Sequence, residues 1–170
     1  PSNEIFGLAV NGDAIYAGTW EGVAAYTDGI WSILYQVDDN TIYNNHVHAI
    51  AFDSRENIWI GHVANGVSRY DSESGKWISY TTDTGALGGN EIRGIAVQQA
   101  SGSIPESVWF ATADGGVSQF ENGRWTVFQD DDGLPSNNTN AVAIDKYNRV
   151  WVTTDRGVVY RENSTWVSYD

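Results

Sequence analysis

The 170 residues carry 22 Asp and Glu against 9 Lys and Arg, a formal net charge of −13. A surface of that sign repels phosphate backbones and anionic headgroups, which excludes nucleic acid and membrane surfaces as expected partners and leaves small-molecule or carbohydrate ligands and other proteins. With no Cys the chain has neither a disulfide framework nor a thiolate nucleophile, while 8 Trp, 9 Tyr and 18 Gly favour short strands joined by tight turns.

In chain order the first segment, NEIFGLAV from Asn3, alternates in the manner of a strand and ends at the turn pair Asn11-Gly12. AIYAGTWEGVAAY follows, then Asp28-Gly29, then an aromatic-ended run from Trp31 to Tyr35. The same succession returns three times. NHVHAIAF starts at Asn45, NEIRGIAV at Asn90 and NNTNAVAI at Asn137, each with Ala six residues after its Asn. The second block recurs as NIWIGHVANGVSRY, SVWFATADGGVSQF and RVWVTTDRGVVY, with Trp59, Trp109 and Trp151 where the first copy has Tyr16. The third block recurs at Trp77 to Tyr80, Trp125 to Phe128 and Trp166 to Tyr169. The first copy of that block is one residue longer, which predicts a bulge. QQASGSIPES, Gln98 to Ser107, predicts a lengthened hairpin in the third copy.

Each copy therefore predicts a meander of four antiparallel strands, and repetition at this period predicts an all-β propeller of four four-stranded antiparallel blades. The repeats fall at about 1–41, 42–86, 87–134 and 135–170 of one propeller domain. Such a set either closes as a four-bladed ring, or forms half of an eight-bladed ring or a piece of a larger propeller. Trp at fixed places in the second and third blocks is expected to pack between neighbouring blades, which accounts for seven of the 8 Trp and leaves Trp20 apart. The absence of Met, an initiator included, reads as a processed or excised segment, so a membrane connection is expected only through flanking segments.

The units DSRENIWIGHVANGVSRYDSESGKWISY and DKYNRVWVTTDRGVVYRENSTWVSY, with the linker DDGLPSNN, resemble the two-component regulator propeller repeat, and the resemblance spans essentially the whole chain. It implies the extracytoplasmic sensor portion of a two-component-type signalling protein, periplasmic or extracellular, often linked to recognition of carbohydrates or other small ligands. The first copy departs most from the pattern, with Tyr16 for Trp and Asn11-Gly12 in place of an acidic hairpin such as DSREN. The repeat motif specifies blade packing and carries no universal ligand residues, so the ligand site must be sought residue by residue.

In a propeller, the loops between second and third strands and the connections between blades share one face, the usual binding face. Phe6, His48, Arg93 and Asn140 occupy one slot at the start of the innermost strand and differ among the four copies, which marks them as candidate ligand-binding residues. Trp20, in the loop after Thr19, and Tyr43, in a connection, are candidates for stacking on a sugar or aromatic ring. His46 and His48 share a strand face, and His62 ends the neighbouring strand, so the three are a candidate metal or pH-sensing cluster. Asp38-Asp39 and Asp130-Asp131-Asp132 offer oxygen ligands without the spacing of a calcium loop.

Glu4 and Glu91 occupy equivalent slots and would suit a carbohydrate-active enzyme if they faced one another across a closed channel. No nucleophile elbow, phosphate-binding Gly loop or metalloprotease motif is present. The reading is therefore a non-catalytic ligand- or protein-binding propeller with no cofactor. The alternatives are an assembly module that forms a homo-oligomer through blade edges, and the carboxylate enzyme.

Overall fold

The computed structural model describes residues 3–36, 42–162 and 164–169. It contains sixteen strands in four sheets, each sheet a simple meander. The first blade is β1 (Ile5–Asn11), β2 (Ala14–Thr19), β3 (Gly22–Thr27) and β4 (Ile30–Tyr35). The second is β5 (Val47–Phe52), β6 (Ile58–His62), β7 (Val67–Asp71) and β8 (Lys76–Tyr80). The third is β9 (Ile92–Gln98), β10 (Ser107–Thr112), β11 (Val117–Glu121) and β12 (Arg124–Phe128). The fourth is β13 (Thr139–Ile144), β14 (Val150–Thr154), β15 (Gly157–Glu162) and β16 (Thr165–Tyr169). The all-β fold expected from the repeats is thus realised as four four-stranded antiparallel sheets.

Two local expectations are met. Val23 pairs with Tyr35 and Ala24 with Ile33, so Leu34 is the extra residue of a bulge in β4. The long hairpin between β9 and β10 is folded on itself, with Ser101 bridged to Ile104.

Because side chains alternate across a strand, every sheet has a forward face toward the next blade and a rear face toward the previous one. Blade 1 packs forward through Ala9, Tyr16, Val23 and Tyr35 onto the rear residues Ile50, Ile58, Ile60 and Trp77 of blade 2. Blade 2 does the same through Trp59, Val67 and Tyr80 onto Val108, Phe110 and Trp125. Blade 3 places Trp109, Val117 and Phe128 against Val142, Val150, Val152 and Trp166. The core is therefore three seams between sheets. Close approach at the inner strands requires small residues: a Cβ on Gly61 would lie 2.5 Å from Ile92 Cγ2.

Hydrogen bonds repeat along the seams as well. The Gly66 and Gly116 amides donate to the carbonyls of Asn90 and Asn137, the leading Asn of the following blade, at 2.9 and 2.8 Å. The hairpins between first and second strands are also stitched together. Asn11 Nδ2 donates to Glu56 at 2.6 Å, the Ser54 amide donates to Glu106 at 3.1 Å, and Gln98 Nε2 donates to the Asn148 carbonyl at 2.7 Å.

The acidic hairpins hold the blade Trp in place. Trp59 Nε1 donates to Asp53 and Trp151 Nε1 to Asp145, both at 2.9 Å, while Arg149 Nε donates to Asp145 at 2.7 Å. Desolvation alone would raise the Asp145 carboxyl, but the bonds from Trp151 and Arg149 outweigh it and hold the group well below the usual carboxylate range.

The sheets form an open arc. β1 packs beside β5, β5 beside β9 and β9 beside β13, with no comparable packing of β13 on β1 among the described residues. Of the ring states expected from the repeats, the closed four-bladed ring is therefore not the one formed. The expectation that seven Trp pack between blades is corrected with it. Trp31 is 42% exposed and meets Tyr26 of its own sheet, because no blade precedes it in the arc.

Candidate functional site

The four slots that vary among the copies share a structural peculiarity. Ile5 pairs with Thr19 and Gly7 with Gly18, which leaves Phe6 as an extra residue in β1. The same irregularity falls between Val47 and Ala49, between Ile92 and Gly94, and between Thr139 and Ala141. Phe6, His48, Arg93 and Asn140 are thus each the bulged residue at the head of an innermost strand. A bulge breaks the alternation and re-aims one side chain out of the sheet. Four bulges in register carry these side chains to the same end of the arc's inner edge.

There they form two groups. Phe6 packs edge-on against Trp20 (5.3 Å between ring centroids) and against His48 (5.6 Å), and Trp20 packs edge-on against His46 at 4.0 Å. This aromatic and imidazole group bridges blades 1 and 2. Trp20 Nε1 and His48 Nδ1 are buried without a hydrogen-bond partner among the described residues. The second group bridges blades 3 and 4. Arg93 Nη1 donates to Asn138 Oδ1 at 2.7 Å and to Asn140 Oδ1 at 2.9 Å, and Arg93 Nε donates to Glu91 at 3.1 Å. Glu91 and Asn138, which orient the guanidinium, lie two residues before the variable slots, Glu91 acting within the same blade and Asn138 from the next one.

Other candidates are placed elsewhere. Tyr43 is exposed, with its backbone amide near Ser68 Oγ at 3.3 Å, and its ring joins none of the aromatic contacts of the first group. His62 is separated from His46 and His48. It is fully buried and its Nε2 lies 2.7 Å from Ser68 Oγ. The candidate three-histidine cluster therefore does not form, and no group of three metal-ligating side chains occurs among the described residues. The reason lies in the register: His62 pairs with Val47, so its side chain follows Val47 into the sheet's packed interior, while the bulge turns His48 outward. Burial pushes the His62 imidazole down to about 4, against a smaller opposing effect of the Asn44 backbone.

Glu4 and Glu91 do not face one another across a closed channel, because the arc is open. The carboxylate of Glu91 is taken up by Arg93. Asp130–Asp132 form one 3-10 turn whose carboxylates serve the turn itself, Asp132 accepting from the Gln129 amide at 2.9 Å and Asp130 from Asn137 Nδ2 at 3.0 Å. Asp38-Asp39 lie outside the described residues. Two clefts open on the opposite, hairpin side of the arc. One, of about 600 Å³, lies between blades 2 and 3 and is lined by Asp53, Arg69 and Glu106; the other, of about 490 Å³, lies between blades 3 and 4 beside Trp109, Arg149 and Arg161.

Comparison with known proteins places this architecture. Over its whole length the chain superposes on the extracellular domain of a hybrid two component system from B. thetaiotaomicron with a TM-score of 0.79 and 16% identity, covering 25% of that chain. A second such domain from B. thetaiotaomicron gives 0.75 and 19% identity over 98% of this chain and 25% of that one. Virginiamycin B lyase from Staphylococcus aureus gives 0.67 and 15% identity over 98% of this chain and 55% of the lyase. The chain thus spans about a quarter of the length of the two B. thetaiotaomicron domains and about half of the lyase. No curated protein matches it in sequence. Residues 133–156 match the two component regulator propeller family, and the chain therefore carries a two component regulator propeller repeat within an array of four propeller blades.

Proposed function

We propose that the chain is a non-catalytic binding segment of an extracytoplasmic sensor propeller, and that it takes a small ligand at the inner edge marked by the four bulges. The observation that carries this reading is the convergence of Phe6, Trp20 and His48 on one side and Arg93 with Asn140 on the other, all delivered by the same backbone device. An aromatic wall offers a stacking surface, and the amides and the oriented guanidinium offer directed hydrogen bonds. That combination suits a ring-shaped, oxygen-rich ligand such as an oligosaccharide. The likeness to extracellular domains of two component systems supports the sensor context and the location outside the cytoplasm.

The test is calorimetric titration with neutral and uronate oligosaccharides. Trp20→Ala and Arg93→Ala are each expected to weaken binding of the best of them by about tenfold or more, the equivalent of one lost stacking or charge-assisted contact. Far-UV circular dichroism should stay unchanged. Wild-type affinity in both variants would remove the inner edge from consideration and direct attention to the clefts on the hairpin side.

A further inference from the structure

The two sheet faces at the ends of the arc are copies of faces that are buried at all three internal seams. On the rear face of blade 1, Leu8 is 65% exposed and Val10 69%, whereas the residues in Leu8's slot in blades 2 and 4, Ile50 and Val142, are 6% and 8% exposed. On the forward face of blade 4, Tyr169 is 67% exposed, although its counterparts Tyr80 and Phe128 pack into the seams ahead of them. Large apolar side chains left open on both ends call for cover.

The polar fittings at the seams are repeated at the ends in complementary form. Each following blade presents a residue three positions before its second-strand aromatic to the hairpin of the preceding blade: Glu56 to Asn11, Glu106 to the Ser54 amide, and Asn148 to Gln98. Asp13 occupies that position in blade 1 and is exposed. Lys146, exposed on the hairpin of blade 4, occupies the position of Ser54. Gly157 corresponds to Gly66 and Gly116, whose amides reach the leading Asn of the next blade, and Asn3 is the leading Asn of blade 1. Charge is divided to match: residues 1–41 contain no Lys or Arg, while Lys146, Arg149, Arg156 and Arg161 all lie in blade 4.

We propose that a second copy of this chain covers both faces, its blade 1 seated on blade 4 of the first copy and the reverse, at two identical head-to-tail junctions. A heterologous contact of this kind makes a closed assembly when its rotation closes. Two copies are the smallest number that covers both faces through identical head-to-tail junctions. At each junction Lys146 meets Asp13 of the second copy and the Gly157 amide reaches its Asn3 carbonyl.

Sedimentation equilibrium of the 170-residue chain is expected to give twice 18.7 kDa. A monomer at about 100 μM, well above the dissociation constants usual for specific interfaces of this kind, overturns the proposal. So does an open-ended series of larger species, which would show a head-to-tail contact whose rotation does not close. Leu8→Glu and Ala143→Glu, one on each exposed face, should each give monomers with wild-type circular dichroism, dissociating at least a hundredfold more readily. Mixed in equal amounts they should pair through the one junction left intact. Dimerisation of Ala143→Glu alone would show a contact between two like faces and sink the head-to-tail assignment. Asp13→Lys, which leaves the apolar faces untouched, should weaken the dimer about tenfold over its two junctions, and Asp13→Lys with Lys146→Asp should restore it.

Discussion

Trp59→Ala is expected to destabilise the chain by about 4 kcal/mol, the largest effect of any single truncation, because the indole is the plate around which the seam between blades 2 and 3 is built. The ring is fully buried, with Phe120 at 5.0 Å, Phe110 at 5.4 Å and Tyr80 at 6.1 Å between centroids, and the Arg69 guanidinium 5.1 Å above it. Truncation leaves a cavity lined by rigid aromatics that cannot collapse into it, and strips Asp53 of the indole donor. In thermal unfolding the midpoint should fall by roughly 10 °C or more, given a shift of about 2–4 °C per kcal/mol for a chain of this size. Trp151 occupies the same repeat slot at the free end of the arc, so Trp151→Ala should cost far less, about 1–2 kcal/mol, when measured in the monomeric Leu8→Glu background. Equal losses at the two positions would mean that seam packing is not the source of the effect.

Acid is expected to weaken the fold through His62 before the carboxylates contribute. An imidazole with an ordinary value of 6.5 in the unfolded chain and about 4 in the folded one is protonated preferentially on unfolding between those values. Stability therefore rises with pH across that window, and is lost as pH falls from about 6.5 toward 4. The full difference corresponds to about 3 kcal/mol. Asp145 acts at lower pH, since its depressed carboxyl gives stability that is retained above the ordinary carboxylate value and lost only as pH falls beneath it. Urea unfolding at pH 7 and pH 4.5 separates the two contributions. His62→Gln, which keeps a polar partner for Ser68 and cannot titrate, should be less stable than wild type at pH 7 and close most of that gap at pH 4.5. A gap that is the same at both pH values would show that protonation of His62 is not coupled to unfolding.

Both expectations separate what repetition alone makes legible from what it hides. Trp59, Trp109 and Trp151 are interchangeable as letters in a repeat, yet one end of the series is buried and the other is half open, because burial depends on whether a blade follows. His62 stands in a slot otherwise filled by Thr19, Thr112 and Thr154, and nothing in the local pattern says that the slot is sealed. Its grouping with His46 and His48 failed at the register, since one bulged residue turns His48 outward while His62 follows Val47 inward.

The candidate site shows the same division. That Phe6, His48, Arg93 and Asn140 share a slot and differ in kind was readable from four aligned segments, as was the isolation of Trp20. That they gather as an aromatic pair and a guanidinium–amide pair, with Asn138 of the next blade orienting Arg93, required the packing of neighbouring sheets.

By itself the sequence determined the strand content, the meander of each blade, the turn positions and the blade repeat, because these follow from alternation, turn chemistry and side-chain size within about forty consecutive residues. Tertiary structure alone decided that the four blades form an open arc, which faces remain uncovered and which polar groups meet across a seam. Those outcomes depend on the angle between successive sheets and on backbone bulges, and neither leaves a mark in the hydrophobic pattern of a single strand.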